Sequence, residues 1–145
     1  MLKTLQKVWA TSPKKKDIKQ DITLAVATLM VFVMQQDDIL DDAEYQETLA
    51  IIQEHFGLSK IEAEKTIQRA TCAENNANDL YQFTSPLIQA YSQEERIDII
   101  RKLWRIAMAD AHIDPHEEAL IRKVAELIGV HHHQFIDAKI AARSA

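Results

Sequence analysis

Two glycines, three prolines and one cysteine are all that punctuate 145 residues. That scarcity excludes most sandwich and barrel architectures, which need many turn residues, and fits a mostly helical chain. A single Cys72 cannot close an internal disulfide, so a reducing compartment is expected. No apolar run reaches the ~18–20 residues that span a bilayer. The longest, Ile22 to Met34, stops at Asp37 and Asp38. An apolar leader with a cleavage site is also missing at the start, so a cytoplasmic protein is expected. Nucleophile-elbow, phosphate-loop and zinc-protease spacings are all lacking, and Cys72 has no neighbour to activate it, so an enzyme is not expected.

What is there is apolar enough to fold: 47% apolar and 27% charged residues place the chain among globular proteins of one domain. The net charge of −5 is unevenly spread. Residues 1–20 hold six lysines and one aspartate, while the other 125 residues hold 11 basic and 21 acidic side chains. An acidic body is a poor surface for nucleic acid. The leader is read as a basic arm over residues 1–19. Its Leu2, Leu5, Val8 and Trp9 can share one helical face, which admits contact with a partner or peripheral contact with an anionic membrane through residues 1–20. A solvated or domain-packing arm is the simpler reading.

From residue 20 the apolar period is helical. It predicts helices near 2–10, 20–37, 42–56, 60–75, 86–91, 93–110, 115–129 and 132–143, and no strand. Asp41/Glu44, Ser59/Glu62, Ser92/Glu95 and Asp114/Glu117 have capping-box spacing. Ser85-Pro86 and Asp114-Pro115 add proline at an expected first helical position, while Gly57 and Gly129 stand where helices should stop. Residues 75–83 read as a loop or one short turn. Residues 93–110, apolar on several faces, are expected at the centre of the bundle, with Trp104 as a packing anchor. Cys72 is expected buried or half-exposed.

The order repeats. An apolar helix, an acidic link, a capped helix ending in Gly and a further helix occur twice. Asp37, Asp41 and Glu44 mark the first link, and Asp110, Asp114 and Glu117 the second. Asp41 lies 16 residues before Gly57, and Asp114 lies 15 before Gly129. The fold class is therefore all-α: a single bundle of about seven to eight helices with two pseudo-repeats, over residues 20–145.

Three carboxylates within a few residues repel one another unless water, protons or a cation intervene. Hard divalent ions take oxygen ligands, so Asp37, Asp41, Glu44, Asp110, Asp114 and Glu117 are the candidate ligands for Ca²⁺ or Mg²⁺, with Mn²⁺ and Zn²⁺ also admitted. Capping is the competing reading, since acids at helix N-termini are stabilising by ~0.3–1 kcal/mol each. It covers four of the six and leaves Asp37 and Asp110, read as helix C-termini, without a role. The calcium-loop spacing of an EF-hand is absent, and no Glu-x-x-His pair of the di-iron type occurs. His112 and His116 read as solvated link residues, and His131 to His133 as a helix start.

The segment LWRIAMADAHIDPHEEALIRKVAELIGVHHHQF resembles the TerB-like family of tellurite-resistance proteins, whose relatives include the N-terminal region of a membrane-anchored DnaJ-like co-chaperone. Ala109, Asp110, Ile113, Asp114, Glu117, Leu127 or Ile128, Gly129 and Val130 carry it. Asp37, Asp41, Glu44, Gly57 and Leu58 fit the repeated version, and the likeness spans about residues 20–142. The resemblance implies two helical pseudo-repeats, acidic positions proposed to coordinate metal, and protein partners in a stress-response system. The family's glycine after the first Asp is replaced by Asp38 and Ala111; if the position is left-handed, Ala111 adopts it at a cost. No His-Pro-Asp tripeptide is present, so a complete DnaJ-like co-chaperone is not expected. Three functions stay open: a cation-binding docking module, a metal-independent interaction domain whose acids only cap helices, and a metal-assisted hydrolase.

Overall fold

The computed structural model describes residues 15–35 and 42–144. The helix expected at 2–10 lies outside them, as do Asp37, Asp38 and Asp41. Seven helices and no strand occur among the described residues: α1 (Lys15–Met34), α2 (Asp42–Phe56), α3 (Lys60–Asn75), α4 (Tyr81–Ala90), α5 (Gln93–Ala107), α6 (Pro115–Leu127) and α7 (His132–Ser144).

Local signals set most boundaries. Ser59 and Ser92 each cap a helix by accepting from Glu62 and Glu95 N–H, and each donates the reciprocal bond, Ser59 N–H to Glu62 at 3.0 Å and Ser92 N–H to Glu95 at 2.9 Å. Those backbone donors hold both exposed carboxyls below their usual range. Gly57 (φ 64) and Gly129 (φ 75) are left-handed, which lets the chain close the helix end on itself. Leu58 N–H donates to Gln53 O at 3.1 Å, and Val130 N–H to Ala125 O at 2.8 Å, the same long turn in both halves. Arg96 then donates to Ile128 O at 2.7 Å, satisfying a carbonyl the helix leaves over.

Three expectations are corrected. α4 starts at Tyr81, so Pro86 sits inside it and not at its first position. The start is set by Asp79, whose side chain accepts from Tyr81 N–H at 2.9 Å, and by burial of Phe83, Thr84 and Leu87. α5 ends at Ala107, three residues short of Asp110. Cys72 is exposed, because it faces away from the buried stripe Ala63, Thr66, Ile67 and Ala70.

The internal repeat is three-dimensional. α1 packs on α3 as α5 packs on α7, and α1 meets α6 as α5 meets α2. A shift of about 73 residues superposes buried positions of α1 and α5: Val26 on Ile99, Met30 on Leu103, Val31 on Trp104 and Val33 on Ile106. α4 belongs to neither repeat and packs on α1 and α6. Both α1 and α5 are central, each touching most of the other helices, as the apolar faces of residues 93–107 require.

A polar knot fastens the ends of α2 and α4 to the middle of α5. Lys102 Nζ lies 2.6 Å from His55 Nδ1 and 2.7 Å from Asp98, and His55 Nε2 lies 3.1 Å from Tyr91 Oη. An ammonium only donates, so His55 Nδ1 is the acceptor and its ring proton is on Nε2, directed at Tyr91. Burial first, and the Lys102 charge second, lower the His55 pKa and keep the ring neutral. Burial likewise pushes the Tyr91 hydroxyl up to about 12.

Candidate functional site: the acidic links and their buried glutamates

The second link is fully described and tightly turned. After α5 ends, Asp110 accepts from His112 N–H at 3.0 Å, a side-chain turn that accounts for an acid left without a role when it was placed in the helix. Ala111 between them has φ 63, the left-handed conformation expected of a glycine there. It costs an L-residue ~1–2 kcal/mol. Ala111→Gly is therefore expected to raise the unfolding free energy by about 0.5–1 kcal/mol, net of the added unfolded-state freedom. Urea titration checks this; a loss of stability would contradict the left-handed turn.

Asp114 then caps α6. Its Oδ1 accepts from His116 N–H at 2.7 Å and lies 3.1 Å from His116 Nδ1, and its own N–H donates to Glu117 Oε1 at 3.2 Å. Pro115 follows at the first helical position, as expected. His116 is strongly exposed and His112 solvated, as link residues should be.

Glu117 differs from the other capping glutamates. Glu62 and Glu95 do the same work while exposed, whereas Glu117 has 0% exposure. Its counterpart Glu44, in the first turn of α2, also has 0% exposure. A signal for this existed in the sequence. Glu44 continues the buried stripe Thr48, Ile51, Ile52, and Glu117 continues Ile121, Val124, Ala125, at the same i, i+4, i+7, i+8 spacing. Glutamate is almost never fully buried without a partner group or ion.

Of the six candidate ligands, the structure thus places Asp110, Asp114 and Glu117 along one link, and Glu44 at the equivalent position of the other repeat. Asp37 and Asp41 lie outside the described residues. Among the described residues no group of three or more His, Cys, Asp or Glu side chains is gathered as a metal would require. The donors described at the link are carboxylates and turn carbonyls, which suit hard ions, together with the exposed imidazoles of His112 and His116.

A feature not anticipated from the sequence adjoins the second link. A cleft of about 760 Å³ opens between α2, the end of α5, residues 111–113 and the end of α7. Arg105 crosses its wall, 2.7 Å from Glu47 and 3.8 Å from Glu54.

Two helical repeats around a pseudo-dyad, each opening its second helix with a buried glutamate behind an acidic link, define an all-α module of duplicated type. The chain belongs to the TerB family: the family described as tellurite resistance protein TerB matches residues 23–140. No curated relative and no solved structure matches it. No helix among the described residues is long and apolar enough to cross a membrane.

Proposed function

We propose that this TerB-family module binds a divalent cation, Ca²⁺ or Mg²⁺, through its two acidic links and uses it to join the repeats and steady a docking surface for protein partners. The observation that carries this reading is the matched burial of Glu44 and Glu117. Capping alone does not ask for it, because Glu62 and Glu95 cap from the surface. Burying two carboxylates costs several kcal/mol unless charge or hydrogen bonds compensate. A hard cation taking oxygens from Glu44 and Glu117, with Asp37, Asp41, Asp110 and Asp114 supplying others, would add to the partners that the two buried glutamates already have, such as Asp114 N–H on Glu117. The ion would supply charge neutralisation and cross-linking; no step of a reaction is assigned to it.

A metal-independent interaction domain is the second reading, favoured by the bonds that already occupy Asp110 and Asp114 in the turn and the cap. Calorimetric titration of the metal-stripped protein with Ca²⁺, Mg²⁺, Mn²⁺ and Zn²⁺ separates the two. Saturable binding weakened by both Asp110→Asn and Asp37→Asn is expected for a site shared between repeats. Weakening by Asp110→Asn alone would confine it to the second link. Heats no larger than dilution for all four ions, with the protein folded, would leave the second reading standing.

A further inference from the structure

We propose that the cleft beside the second acidic link is the berth for one helix of a partner protein, about ten residues long, with an apolar stripe flanked by carboxylates. The pseudo-dyad points to it. In one half of the molecule α4 covers the seam between α1 and α6, with Phe83 against Phe32 at 5.9 Å and Leu87 fully buried. The dyad maps α1 onto α5 and α6 onto α2, so the equivalent seam is α5–α2. Phe32 maps onto Arg105, and Leu120 onto Glu47, by the same shift of 73 residues. Arg105 and Glu47 both line the cleft. Among the described residues, no helix lies over this second seam as α4 lies over the first.

The two seams differ in chemistry, and the difference selects the occupant. On the helical face of α1 that carries Phe32, the residues Ala25, Thr28 and Leu29 are all buried. At the matching positions α5 presents Asp98, Arg101, Lys102 and Arg105. The first three pair among themselves, Asp98 accepting from Arg101 at 2.9 Å and from Lys102 at 2.7 Å, so that stretch is complete in water. The cleft end is otherwise. Its floor is apolar, built from Met108, Ala109, Ala111, Ile113 and Ala142. Its rim carries Arg105, His112 and Arg143; Arg105 engages Glu47 on the rim and Glu54 beside it, which leaves Arg143 as the cation to spare. Arg143 has no ion-pair partner among the described residues. A spare cation on the rim of a protein of net charge −5 favours an acidic partner. Apolar anchors at helical spacing, set between charges, are the common way a groove accepts a helix.

The proposal stands apart from the cation reading, and its test keeps them separate. The probe is a peptide of residues 79–92, hydrocarbon-stapled on the face away from Phe83 so that it is helical before binding, and carrying Phe83→Glu to meet Arg105 where Phe83 meets Phe32. It is titrated into the ¹⁵N-labelled full chain, once with chelator and once with excess calcium. Saturable shifts are expected at Ala109, Ala111, His112 and Arg143 in both buffers. A Phe83→Lys peptide should bind about tenfold more weakly, and Arg143→Glu in the protein should reverse that preference. Several outcomes overturn the proposal: no saturable shift at millimolar peptide, shifts away from the cleft, or equal binding of the two peptides. Cleft shifts that follow protein concentration and not peptide would assign the groove to a second copy of the chain and also overturn it. Binding with calcium only would subordinate the cleft to the cation and overturn its independence.

Discussion

Calcium or magnesium, added to the metal-stripped protein at a hundred times its dissociation constant, is expected to raise the melting temperature by about 10 °C, and Glu117→Gln to remove most of that gain. A ligand of the folded state alone adds ~2.7 kcal/mol at that excess. For a domain of this length each kcal/mol moves the midpoint by roughly 3–4 °C. The substitution keeps the shape and the capping acceptor, since glutamine serves the third helical position as glutamate does. What it removes is a carboxylate ligand, and an amide oxygen is a weaker donor to a hard cation. Glu62→Gln is the control: it changes an exposed capping glutamate of the same kind and should leave the cation effect intact. Thermal unfolding with and without calcium measures all three. Equal gains in parent and Glu117→Gln would remove Glu117 from the site, and no gain in either would return the links to capping alone.

How far the sequence carried depended on whether a feature is local. The α2 and α3 boundaries at 42–56 and 60–75 were legible because Gly57 ends one helix and Ser59/Glu62 begins the next within a few residues. The second link was half legible. Its capping box and Pro115 follow from spacing, but the end of α5 does not. Asp110 carries an apolar period behind it, and only the left-handed turn at Ala111 takes it out of the helix. The start of α4 is not legible, because Ser85-Pro86 looks like a helix start while the actual one is held by Asp79 and by the burial of Phe83 against a distant helix. The same non-local dependence hid the cleft. Arg105 reads in the sequence as one more charge on a long helix. Its meaning comes from lying where the other repeat has Phe32 beneath α4. Glu44 and Glu117 fall between these cases: their place on the buried stripes is written in the spacing, but capping offered a sufficient local reason for them.

Trp104→Ala is expected to have the largest effect on the fold itself, lowering the unfolding free energy by about 3–5 kcal/mol. Trp104 has 0% exposure, and its indole Nε1 donates to Phe135 O at 3.2 Å, so one side chain holds α5 to α7 by both packing and a buried hydrogen bond. The Phe135 ring lies 5.0 Å away at 42°, and Lys139 Nζ stands 5.1 Å from the indole face. Its counterpart in the first repeat is Val31, also fully buried but with a smaller side chain and no polar atom to satisfy. The repeats are thus alike in position and unequal in energy, and α7 depends on Trp104 more than α3 depends on Val31. Trp104→Phe keeps most of the ring volume and loses the hydrogen bond, so about 1–2 kcal/mol is expected. Urea unfolding followed by far-ultraviolet circular dichroism reads both variants, and a loss below about 1 kcal/mol for Trp104→Ala would contradict the packing. Against a stability of about 5–15 kcal/mol, the larger loss leaves a folded but weakened protein. Ala142 and Arg143 of α7 form one wall of the cleft. Trp104→Ala should consequently weaken binding of the acidic helix as well, although Trp104 itself does not line the groove.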